Sequence, residues 1–157
     1  MTDDKRARVL FLCTKNSCRS QMAEGWARSL FPDTIDACSA GVDPGEVNRL
    51  AIAAMREVGI DISQHRSKTI DACHPETIDL VVTVCSHAHE TCPLFPGQAR
   101  VIHHGFDDPP ALAATARSDN EALIHYRRVR DEIKAFVKTL PTLLKTDRSE
   151  PATKGRP

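Results

Sequence analysis

Residues 9–25 read VLFLCTKNSCRSQMAEG, and the change of pattern inside this stretch restricts the fold more than any other feature. Ala7 to Thr14 is β-rich and, after Arg8, almost continuously apolar, as a strand buried on both faces must be. From Ser20 onward Met22, Trp26 and Leu30 recur at every fourth residue, which is the buried stripe of a helix. A doubly buried strand that runs straight into a helix is the opening of a βαβ unit. It commits the chain to a parallel sheet covered by helices.

The remaining patterns extend that architecture. Ile35 to Ala40 reads as a short strand, and Gly41 to Gly45 as a loop. Asn48 is placed to cap a helix that runs to Val58 and stops at Gly59. Leu80 to Val84 (LVVTV) is a second apolar strand, and Arg100 to His104 a weaker one. Val129, Ile133, Phe136, Val137 and Leu140 mark one face of a helix over Asn120 to Leu140, with Pro141 expected to end it. The expected fold is α/β: a single-domain doubly wound sheet of roughly four parallel strands with helices on both faces. Residues 1–144 are expected to form the domain. Lys145 to Pro157 (KTDRSEPATKGRP) is expected to be a disordered tail, because it has no side chain able to anchor a core.

Charge and composition narrow the function. In 157 residues, 21 basic and 21 acidic side chains give a formal charge of +0, so no net field draws the chain to nucleic acid or a membrane surface. Aromatics are 4%, too few for a base-stacking surface. No apolar run is long enough to span a bilayer. The apolar run in MTDDKRARVLFLC is also too short for a secretory signal, so a cytoplasmic protein is expected. In that compartment the six cysteines are expected to be thiols and not a disulfide frame.

Cys13 stands where the first strand ends. In a doubly wound sheet, ligands bind outside the carboxyl ends of strands where the strand order reverses. The loop Thr14, Lys15, Asn16, Ser17, Cys18, Arg19 leads into a helix N-terminus and can aim backbone N–H groups at an anion. Such dipoles and Arg19 favour a thiolate at Cys13. Arg19 can hold an oxyanion through two parallel hydrogen bonds, and Ser20 can donate one to the sulfur. The spacing C-x5-R-S therefore builds a nucleophile and an anion cradle in one turn.

CTKNSCRSQMAEGWAR resembles the active-site loop of the low-molecular-weight protein tyrosine phosphatase superfamily, and within it the thioredoxin-coupled arsenate reductases. The resemblance continues through SAG at Ser39 to Gly41, EVGIDIS at Glu57 to Ser63, DLVVTVCSHAHETCP at Asp79 to Pro93, GFDDP at Gly105 to Pro109 and YRRVRDEI at Tyr126 to Ile133. It implies that Cys13 attacks a tetrahedral oxyanion held by residues 14–20, and that Asp108 protonates the leaving oxygen. Asp107, its neighbour, is the alternative acid.

Cys85 and Cys92 separate reduction from hydrolysis. A second thiolate that attacks a Cys13–arsenic adduct would release arsenite and leave a Cys13–Cys85 disulfide. Adjacent strands lie about 4.8 Å apart, and a disulfide joins Cα atoms about 4.4–6.8 Å apart, so the end of Leu80 to Val84 suits Cys85. Cys92 would then attack Cys85 and carry the disulfide outward to thioredoxin. A helical Cys85–Cys92 segment would separate their Cα atoms by about 10 Å, so the segment must be irregular or unwind.

The alternatives are a phosphatase acting on phosphomonoesters and, from another class, a zinc-binding or thiol-sensing module using His87, His89 and Cys92 with His103 and His104 nearby. After Pro109 the chain has Pro110, Ala111 and Leu112 where such phosphatases usually carry aromatics, so a small inorganic oxyanion fits better. The zinc reading lacks a convincing ligand spacing. The expected ligand is arsenate, with phosphate or sulfate as competitors. No cofactor, metal, nucleic acid or membrane is expected, and the chain is expected to be a monomer.

Two positions depart from the resemblance. Lys15 stands where a glycine is common. Some of these reductases hold potassium through positions matching Asn16, Glu24 and Ser39 plus an aspartate; Lys68 takes that aspartate's place, and its ammonium is expected to pair with Glu24 in the cation's stead. Cys18 is expected to shape the loop, Cys38 and Cys73 to be ordinary thiols, and Trp26 to be core.

Overall fold

The structure is a computed structural model that describes residues 6–86 and 95–149. A four-stranded sheet is formed by β1 (Ala7–Cys13), β2 (Ile35–Gly41), β3 (Leu80–Thr83) and β4 (Arg100–His103) in the order β2-β1-β3-β4. All three pairings are parallel. The helix α1 (Arg19–Leu30) carries the chain from β1 to β2 on one side. The long return from β2 then crosses to the other side of β1, so the winding reverses between β1 and β3. The expected doubly wound α/β sheet is the observed one, and Cys13 lies at its switch point.

The larger core fills one face. Val9, Phe11, Leu80, Val82 and Val84 point into it and meet Met22 and Trp26 of α1, Ala51 and Met55 of α2 (Arg49–Arg56), and Val129 and Ile133 of α4 (Asp119–Val137). Trp26 is core as expected, 4% exposed, and its indole N–H donates to Arg130 O at 3.0 Å. The opposite face, with Leu10, Leu12, Ala40 and Val81, is covered by Ile78 and by the 3-10 turn Ile70–Cys73.

Local chemistry sets the helix ends. Asn48 Oδ1 accepts from Leu50 N and Ala51 N at the start of α2, and Gly59 leaves it with a φ of +83°. Ser118 Oγ accepts from Glu121 N at the start of α4. The short helix α3 (Pro109–Leu112) opens on two prolines, whose missing N–H groups are not needed there.

Two expectations need correction here. Pro141 does not end a helix. The helix α4 stops at Val137, Thr139 closes its last turn by donating to Phe136 O at 2.6 Å, and a further helix α5 (Leu140–Ser149) starts with Pro141 in its first turn. Residues 145–149, expected to be disordered, are the end of α5, which Leu140, Leu143 and Leu144 anchor to the core. Residues 150–157 lie outside the described residues. Among the described residues no helix is long and apolar enough to cross a membrane.

Candidate active site

Every carbonyl of the loop after β1 is engaged on its outer side. Thr14 O accepts from Asp43 N, Lys15 O from Gly45 N, Ser17 O from Asn48 N and Cys18 O from Met22 N, at 2.8–3.1 Å. Asn16 O accepts from Ser67 Oγ at 2.6 Å and from Gln21 Nε2 at 3.1 Å. These bonds fix the course of the loop's backbone from the segments around it. The helix behind the loop has no side-chain cap and no acidic residue in its first turn, so its positive end is left for an anion.

Asn16 bends the loop. Its φ is +52°, and it is fully buried. Its Nδ2 donates to Ser20 Oγ at 2.9 Å, while its Oδ1 accepts from Lys68 N and Gln21 Nε2, both at 3.0 Å. Ser20 thus accepts from Asn16 and keeps its own proton to donate. Gly41 is obligatory beside this loop, since a Cβ there would lie 2.5 Å from Thr14 O.

The loop borders a cavity of about 260 Å³ lined by Cys13, Lys15, Ser17, Cys18, Arg19, Asn48, Asp108 and Pro110. Arg19 is 4% exposed; its Nη1 donates to Phe106 O at 3.1 Å and its Nη2 lies 3.5 Å from Asp108 Oδ1. Asp107 points away from the cavity and pairs with Arg128 of α4 at 2.9 Å. The geometry therefore places Asp108, and not Asp107, at the cavity. Lys15 borders the mouth, but its ammonium pairs with Asp43 at 2.5 Å, which blunts the charge it offers an anion. Burial, reinforced by Asp108, pushes the Cys18 thiol well above its ordinary range despite Arg19, so Cys18 stays protonated. Tyr126, buried behind Asn48 and hydrogen-bonded to it, is pushed up to about 12, first by burial.

A charged cluster supports the loop from below. Glu24 is 2% exposed and accepts from Ser39 Oγ at 2.6 Å. Lys68 Nζ lies 3.6 Å and Arg28 Nη2 2.9 Å from its carboxylate. His65 Nδ1 is 3.0 Å from Gln21 Oε1 and 3.9 Å from Glu24. Burial holds both Lys68 and His65 below their ordinary values, with Glu24 pulling the other way. Asn16, Glu24, Ser39 and Lys68 thus meet in one place. The sequence reading missed Gln21, Arg28, Asn48, His65, Ser67 and Tyr126. Of these only Asn48 carried a local signal, as a helix cap.

Cys85 is fully buried just beyond β3. Leu12 is in register with Thr83, and Val84 N donates to Leu12 O at 3.1 Å, so Cys13 runs beside Val84 and Cys85 is one residue further. Cys92, His87 and His89 lie outside the described residues. Among the described residues, His103 and His104 included, no group of three potential ligands is placed to hold a metal ion. Cys38 and Cys73, expected to be ordinary thiols, are joined in a disulfide with a Cα–Cα distance of 6.2 Å. The sequence could not show this: the two residues are 35 apart, and only the fold of the segment between α2 and β3 against β2 brings them together.

Fold and site together define an α/β protein of the doubly wound type with a buried cysteine at the switch point, beside a small cavity lined by the loop that leads into α1. Residues 8–150 match the family of the low molecular weight phosphotyrosine protein phosphatase, and the chain belongs to that family. It is 49% identical over 131 residues, 83% of this chain and 92% of the relative, to an arsenate reductase of Halalkalibacterium halodurans. A solved structure of an arsenate reductase in the phosphate binding state superposes with a TM-score of 0.70 at 33% identity, covering 87% of this chain and 98% of that one. A low molecular weight protein tyrosine phosphatase from T. tengcongensis superposes with a TM-score of 0.68 at 28% identity, covering 87% and 99%.

Proposed function

We propose that this chain is an arsenate reductase in which Cys13, Cys85 and Cys92 act in sequence. The Cys13 thiolate attacks arsenic in the cradle, and Asp108 protonates the hydroxyl that leaves as water. Arg19 and the loop's backbone N–H groups stabilise the remaining oxyanion charge. Cys85 then attacks the Cys13 sulfur. The electron pair of the sulfur–arsenic bond passes to arsenic, which falls from the +5 to the +3 state and leaves as arsenite, while a Cys13–Cys85 disulfide forms. Cys92 attacks Cys85, frees Cys13, and presents a Cys85–Cys92 disulfide to a dithiol protein reductant of the thioredoxin kind.

The observation that carries this reading is the β1–β3 pairing, which sets buried Cys85 one residue beyond the neighbour of Cys13. Lys68 serves as a built-in cation under the loop, so no potassium is required there.

A quenched single turnover tests the order of events. Cys92→Ser should release one arsenite per enzyme molecule and stall with Cys13 joined to Cys85, with turnover on thioredoxin lost. Cys85→Ser should fail before arsenite leaves. A Cys92→Ser enzyme that cycles normally would remove Cys92 from the route, and hydrolysis of an aryl phosphate without arsenate reduction would favour the phosphatase reading.

A further inference from the structure

The Cys38–Cys73 disulfide lies apart from the proposed chemistry. Cys13 is in register with Gly41, and Cys38 is three residues earlier on β2. That separation is about 10 Å along the strands, beyond the Cα reach of a disulfide, about 4.4–6.8 Å. Cys38 also packs with Leu10, Leu12 and Val81 on the face opposite the core that holds Cys13 and Cys85. Direct exchange between Cys38 and Cys13 is therefore out of reach.

What the bond does fasten is the strap between α2 and β3. Residues 61–79 contain no α-helix or strand, only the 3-10 turns Ile70–Cys73 and Pro75–Thr77. The same strap braces the cradle at Asn16, its left-handed residue. Ser67 Oγ donates to Asn16 O, Lys68 N to Asn16 Oδ1, and Gln21 Nε2 to Arg66 O. Lys68 O accepts from Gly41 N at 2.8 Å, and its ammonium faces Glu24. Ile62 and Ile78 anchor the strap's two ends in the core; between Ile62 and Cys73 it is irregular and held largely by hydrogen bonds, which places that stretch at the low-stability end of a fold. Cys73 ties it to β2 covalently, five residues beyond Lys68.

We propose that Cys38 and Cys73 form a redox-modification site, a disulfide clamp that seats the strap and so shapes the oxyanion cradle. Closure joins the two sulfurs and passes two electrons and two protons to a disulfide or peroxide oxidant. Opening takes the same two electrons and two protons back from a dithiol. Cys38 and Cys73 are both buried, at 9% and 1% exposure, so a thiolate reaches the bond slowly. With the clamp open, the strap must be seated by ligand binding itself.

The proposal builds on the cradle assigned above, and inorganic phosphate is the probe that separates the two. Full-length protein is alkylated without reductant or denaturation and mapped by peptide mass. Cys38 should be linked to Cys73; alkylation of both Cys38 and Cys73 would overturn the clamp. Phosphate affinity is then measured by calorimetry on the native protein and on Cys38→Ala/Cys73→Ala, well below the melting temperature of each. If the unclamped strap is seated about a tenth of the time, the apparent Kd rises about tenfold. Native protein fully reduced by a phosphine should show the same weakening, which keeps the test open if the double variant does not fold. A lower melting temperature with unchanged phosphate affinity would make the bond a plain staple and overturn the proposal. Failure of the native protein to bind phosphate would instead overturn the cradle on which both readings rest.

Discussion

Asn16 sits in a left-handed conformation that costs a non-glycine residue about 1–2 kcal/mol. It is held there by bonds to Ser20, Gln21, Ser67 and Lys68. The support behind it contains a titratable link. Gln21 Nε2 donates to Asn16 O, Asn16 Oδ1 and Arg66 O, so its Oε1 is the acceptor that faces His65, and His65 Nδ1 carries the proton. Burial holds His65 below the ordinary imidazole value, against the pull of Glu24. The unfolded chain therefore binds the proton more readily. The stability His65 contributes is complete above the unfolded value of about 6.5 and is lost as pH falls from there toward the lower folded value. An NMR titration should place the His65 midpoint below that of an exposed histidine, and melting temperature should drop over the same window. A raised midpoint would contradict the assignment. Lys68 gives a second residue-scale expectation. Potassium should leave the native melting temperature equal to that in matched sodium, and Lys68→Asp should create a potassium-specific rise, because a carboxylate then replaces the resident ammonium. Thermal melts in the two salts decide it.

Elements bring these residues together in a way that leaves little slack. The loop after β2 and the cap of α2 hold the outer rim of the cradle through backbone bonds from Asp43, Gly45 and Asn48 to Thr14, Lys15 and Ser17. Gly41 is the point of closest approach. In Gly41→Ala the new Cβ would lie 2.5 Å from Thr14 O and 2.9 Å from Asn16 N, both backbone atoms with no flexible end to yield. The cradle must shift, and overpacking of this kind costs about 1–3 kcal/mol. Phosphate affinity should fall with stability, whereas Gly45→Ala, with nothing within 4 Å of its Cβ, should bind phosphate as the native protein does. Calorimetry and urea unfolding of the two variants make the comparison. At this scale the sequence was legible where a signal was local: the apolar strands, the Asn48 cap and the C-x5-R-S spacing follow from neighbouring residues. Gln21, His65 and Ser67 were not legible, because a polar residue on a helix or in a loop looks solvent-facing until a distant segment crosses it.

Across the whole molecule one core supports the sheet from one face, and α5 completes it. Leu140 is fully buried at the start of that helix. Leu140→Ala should cost about 2–5 kcal/mol, the usual range for deleting a buried leucine side chain. Urea denaturation measures it, and a loss under about 0.5 kcal/mol, the scale of a surface change, would show that α5 does not dock. The sequence by itself determined the parallel α/β architecture, the position of Cys13 at the end of the first strand and the loop that leads from it into a helix. Those depend on periodicity and on spacing within a single turn. The tertiary structure alone decided that Asp108 and not Asp107 borders the cavity, that Lys15 is paired with Asp43, that residues 145–149 belong to a helix, and that Cys38 and Cys73 are one bond. Each of these depends on a contact between segments far apart in the chain, and such contacts are set by how the elements pack, not by the residues next to them in sequence.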